Sequence, residues 1–236
     1  MTIPILQEFD GIHVVRDDLF PGGTKARFIP RLFDDADEVV YASPCEGGAQ
    51  TALATVAAQL GKKATVFIAK RKVPHDRAYM AKGLGAKVMQ VSPGYLTVVQ
   101  ARAAAYARAF GAKLAPFGLD MPEAIEFISL AARSMDVVPD EFWCASGSGV
   151  LCRALTRAWP NARRNVVQVG RELSSADVEG ATIHKQNLPF SKPSLSIPPF
   201  PSDPHYDAKA WQIARARRGA GLVVFWNVTG PATRPS

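Results

Sequence analysis

The sequence predicts an α/β protein built on an open, mainly parallel twisted sheet with helices on both faces. Short β-branched and aromatic runs of strand length alternate with longer helix-like segments along most of the chain. Turns rich in glycine and other small residues follow several of the strand-like runs, and a helix-like segment follows the turn. The 236 residues are 47% hydrophobic, enough for a sizeable core in one large domain or two small ones.

In chain order, VVRDDLFPGGTKARF (14–28) leaves a strand through an acidic pair and enters a Gly-Gly turn that carries Lys25. VVYAS (39–43) is strand-like and leads through CEGGAQ into the helix-like TALATVAAQLG, which stops at Gly61, a residue suited to the left-handed position after a helix. ATVFIA (64–69) reads as a strand, DRAYMAKGLG (76–85) as a helix and AKVMQV (86–91) as a third strand. This succession is the grammar of parallel strands with helical crossovers. Residues 95–110 and 121–135 read as helices, with Asp120 expected to cap the second and Pro122 in its first turn. EFWCASGSG (141–149) repeats the pattern of a strand entering a small-residue turn, followed by the helix VLCRALTRAW (150–159) and the strand RNVVQVG (164–170). The proline-rich stretch 188–204 is expected as an extended surface connection. DAKAWQIARARRG (207–219) is a helix, and GLVVFWNVTG (221–230) a final buried strand ending in a turn.

Composition narrows the function classes. No apolar run approaches the roughly 20 residues of a membrane span. The opening MTIPILQEFDG has an early acid and no basic region before an apolar stretch, so it does not read as a signal peptide, and a cytoplasmic protein is expected. Cys45, Cys144, Cys152 and the four histidines match no zinc spacing, so no metal site is expected and the cysteines read as free or buried thiols. The net charge of +7 suits phosphate cofactors, nucleic acid or acidic substrates. The basic residues are nevertheless scattered in short clusters such as Lys70-Arg71-Lys72, which read as solvated faces.

Open α/β sheets bind ligands beyond the carboxyl ends of their strands. The turns PGGTKAR, CEGGAQT, ASGSGV and VTGP are placed there. A Ser-Gly-Ser-Gly turn between strand and helix offers backbone N–H groups, a helix N-terminus and room for close approach, which suits a phosphate. It is not a P-loop, since no Lys-Ser or Lys-Thr follows, and Cys152 breaks the G-x-G-x-x-G dinucleotide pattern.

Taken together and in order, these stretches resemble the pyridoxal-phosphate (PLP) enzymes of the tryptophan-synthase-β fold, PLP fold type II. The nearest branch is the aminocyclopropane-carboxylate deaminase and D-cysteine desulfhydrase group. VVRDDLFPGGTKARF is similar to that group's strand, acidic pair and Gly-Gly-Asn-Lys-x-Arg segment. EGGAQTALATVAAQLGKKATVF is similar to the turn and helix lying against the cofactor, and CASGSGVLCRAL to the phosphate loop. DPHYDAKAW is similar to the Asp-Pro-x-Tyr-x-Gly-Lys segment, and VVFWNVTGP to the last strand and its Thr-Gly turn.

The resemblance implies PLP as cofactor, an amino-acid-type substrate and a homodimer. It implies that Lys25 is the Schiff-base lysine and proton shuttle, and that Ser146, Gly147, Ser148 and Gly149 cup the phosphate. Asp207 falls where the deaminase branch has a carboxylate facing the pyridine nitrogen. Tyr206 is expected as a general acid/base or an aromatic wall, Gln50 and Thr51 as contacts to cofactor or substrate carboxylate, and Thr229 as a cofactor contact. The chain is one catalytic unit on this reading, with a reduced small domain within 45–140 and the large-domain portion in 1–44 and 141–236.

Three departures matter. The usual Asn of the second-strand turn is absent from Gly47-Gly48-Ala49-Gln50-Thr51, and so are the serine and histidine that recognise substrate in the deaminase branch. The chain is also short for the group, which implies a more open site. A lyase, deaminase or decarboxylase acting on an amino acid is the leading expectation. The alternatives are a PLP enzyme acting on an amino-acid group attached to a modified base in phage DNA, and an inactive PLP fold used as a binding module.

Overall fold

The computed structural model describes residues 2–92 and 94–233; Met1, Pro93 and 234–236 lie outside the described residues. The strands are β1 (Leu6–Phe9), β2 (Ile12–Arg16), β3 (Glu38–Ala42), β4 (Lys63–Ala69), β5 (Lys87–Val91), β6 (Lys113–Leu114), β7 (Glu141–Ser146), β8 (Arg163–Gln168), β9 (Thr182–Lys185) and β10 (Val223–Asn227). The helices are α1 (Ala49–Leu60), α2 (Asp76–Gly83), α3 (Leu96–Phe110), α4 (Pro122–Arg133), α5 (Val150–Ala158) and α6 (Asp207–Arg217). The expected mainly parallel α/β architecture is present, as two sheets in two compact units.

The first unit comprises Met1–Thr24 and Asp120–Pro231. Its sheet has the order β1-β2-β10-β7-β8-β9, with all neighbours parallel except the edge pair β1 and β2. That hairpin turns on Asp10 and Gly11, whose φ values of 52° and 71° are the left-handed pair a two-residue turn between twisted strands requires. The inner strands are buried on both faces, which is why they read as continuous apolar runs instead of alternating ones. Trp143 and Ala145 of β7 join Val223 and Phe225 of β10 under Trp211 and Ala214 of α6. Phe142 points to the other face and meets Trp159, just past α5, at 6.2 Å, and Trp159 in turn meets Trp226 at 6.4 Å.

The second unit is formed mainly by Lys25–Leu119. Its four strands are all parallel in the order β5-β4-β3-β6. Phe67 of β4 meets the Tyr106 ring of α3 at 5.5 Å in a tilted contact, so α3 covers that face. Helix α1 ends as expected at Gly61, with φ of 64°.

Strand β3 pairs with β4 and β6 in the second unit, and α4 packs on α5 in the first. One sequence expectation is corrected. Asp120 does not cap α4. Its carboxylate accepts a hydrogen bond from Arg153 Nη2 at 2.6 Å, Met121 takes the capping position, and Pro122 opens the helix. An ion pair to a residue of α5 outcompetes a local cap.

Candidate active site

In the first unit the chain leaves β7 towards β8 and β9 on one side, while β10 and β2 lie on the other. The β7/β10 boundary is therefore a topological switch point, where the connections leaving the carboxyl ends diverge and open a crevice. The loops there are 146–149 after β7 and 228–230 after β10. The turn leading to Lys25 follows β2, whose last residue Arg16 stands opposite Asn227.

The Ser146–Gly149 loop is tightly determined. Gly149 has φ of 88°, and a Cβ there would run into the backbone carbonyl of Asp177. Asp177 is itself held by Arg171 Nη2 at 2.6 Å and by the backbone N–H and hydroxyl of Ser174. Arg171, then the Ser174 contacts, keep its carboxyl well below the usual carboxylate range. A Cβ on Gly147 would lie 2.9 Å from Val169 O. Ser146 is buried, and its hydroxyl accepts the Gly149 N–H at 2.8 Å. Ser148 is half-buried at the loop's tip. The N-terminus of α5 follows directly and adds positive potential.

Tyr206 reaches this loop from the start of α6. Its hydroxyl accepts the Gly147 N–H at 3.1 Å and donates to Ala145 O at 3.3 Å. Burial first, and then the neighbouring Asp207, push its phenol well above the usual range, so it stays protonated. Beneath the loop, the Cys144 thiol is driven up, first by its hydrogen bond with the Cys152 thiol and then by burial. All three cysteines are free and buried, as the sequence implied.

Asp207 is the first residue of α6 and is fully buried. Its Oδ2 accepts the N–H groups of Val228 and Thr229 at 3.1 and 3.3 Å, tying the helix to the turn after β10. Thr229 is half-buried and returns its carbonyl to Asp203 N–H at 3.0 Å. Ser146, Gly147, Ser148, Gly149, Tyr206, Asp207 and Thr229 are thus gathered at one edge of one sheet.

The turn before Lys25 is pinned to the end of β10. Gly23 has φ of 68°, and a Cβ there would strike Val228 O. Thr24 donates its N–H to Val228 O at 3.0 Å. Lys25 follows in a short 3-10 turn, Thr24–Arg27, and is half-buried. Sequence reasoning missed the partners that hold this turn, Asp17, Thr24 and Trp226; the acidic pair after β2 was the only local signal. The side chain of the second acid, Asp18, is 1% exposed and pairs with Arg16 at 2.8 Å, while its Oδ1 also accepts from Asn227 Nδ2 at 2.8 Å.

In the second unit, Gln50 and Thr51 are buried and engaged with their own turn. Gln50 Nε2 donates to the carbonyls of Cys45, Gly47 and Pro44 at 2.9, 3.0 and 3.3 Å. Thr51 donates its hydroxyl to Gly48 O at 2.9 Å and accepts from Arg77 Nη1 at 3.2 Å. Both side chains set the shape of the CEGGAQ turn. Beside it a cleft of about 320 Å³ is lined by Cys45, Glu46, Arg71, Val73, Pro74, His75 and Asp76. Burial, then Glu46, raise the Cys45 thiol there.

Solved structures share this architecture. The chain superposes on an ACC deaminase homologue with a TM-score of 0.82 at 17% identity, covering 98% of this chain and 90% of the other. The fold is PLP fold type II. Diaminopropionate ammonia lyase from Escherichia coli, in apo form, matches with a TM-score of 0.65 at 14% identity, over 94% of this chain and 79% of its own. The processed form of threonine deaminase isoform 2 from Solanum lycopersicum matches with a TM-score of 0.69 at 14% identity, over 94% and 76%. No protein-family model and no curated protein matches the chain. Among the described residues, no helix is long and apolar enough to cross a membrane.

Proposed function

We propose that the protein is a PLP-dependent lyase or deaminase acting on a small amino-acid-type substrate. The observation that carries this reading is the meeting, at one switch point of a fold-type-II sheet, of a glycine-bound loop at a helix N-terminus and a buried carboxylate. The residues fit the cofactor. Gly147 and Gly149 donate their N–H groups to Tyr206 and Ser146, which leaves the half-buried Ser148 at the loop's tip and the N-terminus of α5 as the part of the loop that suits a phosphate.

Bound PLP supplies an electron sink for bonds broken at the substrate α-carbon. Lys25 would hold the cofactor through its amine and afterwards move a proton at Nζ. Ser146, Gly147, Ser148 and Gly149 would bind the phosphate, with α5 adding its dipole. Tyr206 sets the loop's position and, staying protonated, serves as a donor rather than a base. Asp207 would place negative charge at the ring nitrogen, and Thr229 would line the same side. Gln50 and Thr51 keep the shape of the turn that would receive the substrate carboxylate. The amino-acid chemistry in the names of the similar structures, threonine deaminase and diaminopropionate ammonia lyase, supports the substrate class.

The test is the visible absorption spectrum of purified protein with added PLP, beside Lys25→Ala. A yellow band present in the wild type and absent in the variant is expected, followed by ammonia and keto-acid release from a panel of amino acids. Absence of the band in wild-type protein would overturn the reading.

A further inference from the structure

The residue before Lys25 is held more firmly than a surface turn needs. Thr24 is 2% exposed, and Asp17 and Trp226 are fully buried. Trp226 Nε1 donates to Thr24 Oγ1 at 2.8 Å. An indole N–H can only donate, so the Thr24 oxygen is the acceptor in that bond. Its single proton goes to Asp17 Oδ2 at 2.8 Å in preference to Val228 O at 3.4 Å. The Thr24 N–H is fixed on Val228 O as well. Side chain and backbone of one residue are thereby tied to the end of β2 and to both the interior and the end of β10. The next Cα, that of Lys25, lies one peptide further on, about 3.8 Å away.

We infer that the chain Trp226–Thr24–Asp17 is a positioning device for the Lys25 amine. The inference rests on the cofactor reading of Lys25. An amine that must meet a carbonyl carbon gains from being delivered in one place, and a misplacement of about 1 Å can cost on the order of 100-fold in rate. The hydroxyl is the feature that matters. Serine keeps both of its hydrogen bonds, whereas valine keeps the shape of threonine and loses both.

The experiment measures attachment of PLP to individual lysines. The amine displaces the aldehyde oxygen as water, borohydride delivers the hydride that makes the link permanent, and peptide mass mapping gives the rate at each site across pH. Exposed Lys192 serves as an internal reference. Thr24→Val is expected to slow labelling of Lys25 at least about 10-fold with Lys192 unchanged, and Thr24→Ser to stay within about 3-fold of wild type. Folding of each variant is checked by circular dichroism and thermal melting. Should Thr24→Val fail to fold, Trp226→Phe, which removes the indole donor, is held to the same criterion.

Wild-type rates in a folded Thr24→Val or Trp226→Phe overturn the inference. So does a Thr24→Ser protein as slow as Thr24→Val, because size rather than the hydroxyl would then be the cause. A wild-type protein whose Lys25 takes no more label than Lys192 fails differently: it removes the cofactor reading of Lys25, and the inference with it.

Discussion

The Tyr206 hydroxyl accepts the backbone N–H of Gly147 at 3.1 Å, joining the start of α6 to the loop that follows β7. Removing one such bond costs about 0.5–1.5 kcal/mol. Tyr206→Phe is therefore expected to weaken PLP binding by about 3–10-fold while leaving pyridoxal, which lacks the phosphate, unaffected. Equilibrium dialysis of the two ligands makes the comparison. Equal losses for both would mean that Tyr206 does not act through the phosphate loop.

Asp207 has a structural duty and a proposed chemical one, and one substitution separates them. Asparagine at 207 keeps an oxygen to accept the Val228 and Thr229 N–H groups but carries no charge. Asp207→Asn is expected to leave the melting temperature nearly unchanged and to lower kcat by on the order of 100-fold, the scale of a lost charged catalytic group. Activity within a few-fold of wild type would remove the charge from the mechanism.

Gly149 and Gly111 both have positive φ, at 88° and 65°, but differ in surroundings. A Cβ on Gly149 would meet Asp177 O, whereas one on Gly111 has nothing within 4 Å. Gly111→Ala is expected to cost about 1 kcal/mol of backbone strain. Gly149→Ala should cost more, about 2–4 kcal/mol, lowering Tm by roughly 5–15 °C, and should abolish cofactor binding at micromolar concentrations. Equal melting temperatures for the two variants would refute the packing argument.

His184 stacks on Trp143 at 4.5 Å and meets Asn165 Oδ1 at 2.9 Å. Burial, and next the Arg217 charge, hold its pKa below the usual value of 6.5. The unfolded ring therefore takes a proton at a higher pH than the folded ring. Stability associated with His184 is complete above about pH 6.5 and is lost as pH falls through its folded pKa. Urea titrations at pH 7.5 and 5.5 should show the loss in wild type and a smaller one in His184→Gln. An identical pH dependence in both proteins would show that His184 is not its source.

Most strands that the sequence made legible are buried on both faces, because a continuous apolar run such as EFWCA or VVFWN needs no partner to be recognised; the edge strand β5 was legible as well. Strands β1 and β9 escaped notice. They are edge strands of four residues, half exposed, with polar residues at several positions. The glycine turns were legible too, since Gly61, Gly23 and Gly149 stand where the backbone must enter the left-handed region. The proposed roles of Gln50 and Thr51 could be attached to residue types, but not their use in holding their own turn, which depends on Arg77 and on four backbone carbonyls.

The sequence by itself determined the α/β class and the order of most elements, because these follow from local patterns of apolarity and small residues. Only the tertiary structure decided that β3 belongs with β4 and α4 with α5, that Asp120 answers Arg153, and that Tyr206 braces Gly147. Thr24 and Trp226 lie 202 residues apart, and their hydrogen bond exists only because β10 is laid beside β2. Such pairings arise from strand order, a non-local property that no stretch of the sequence carries on its own.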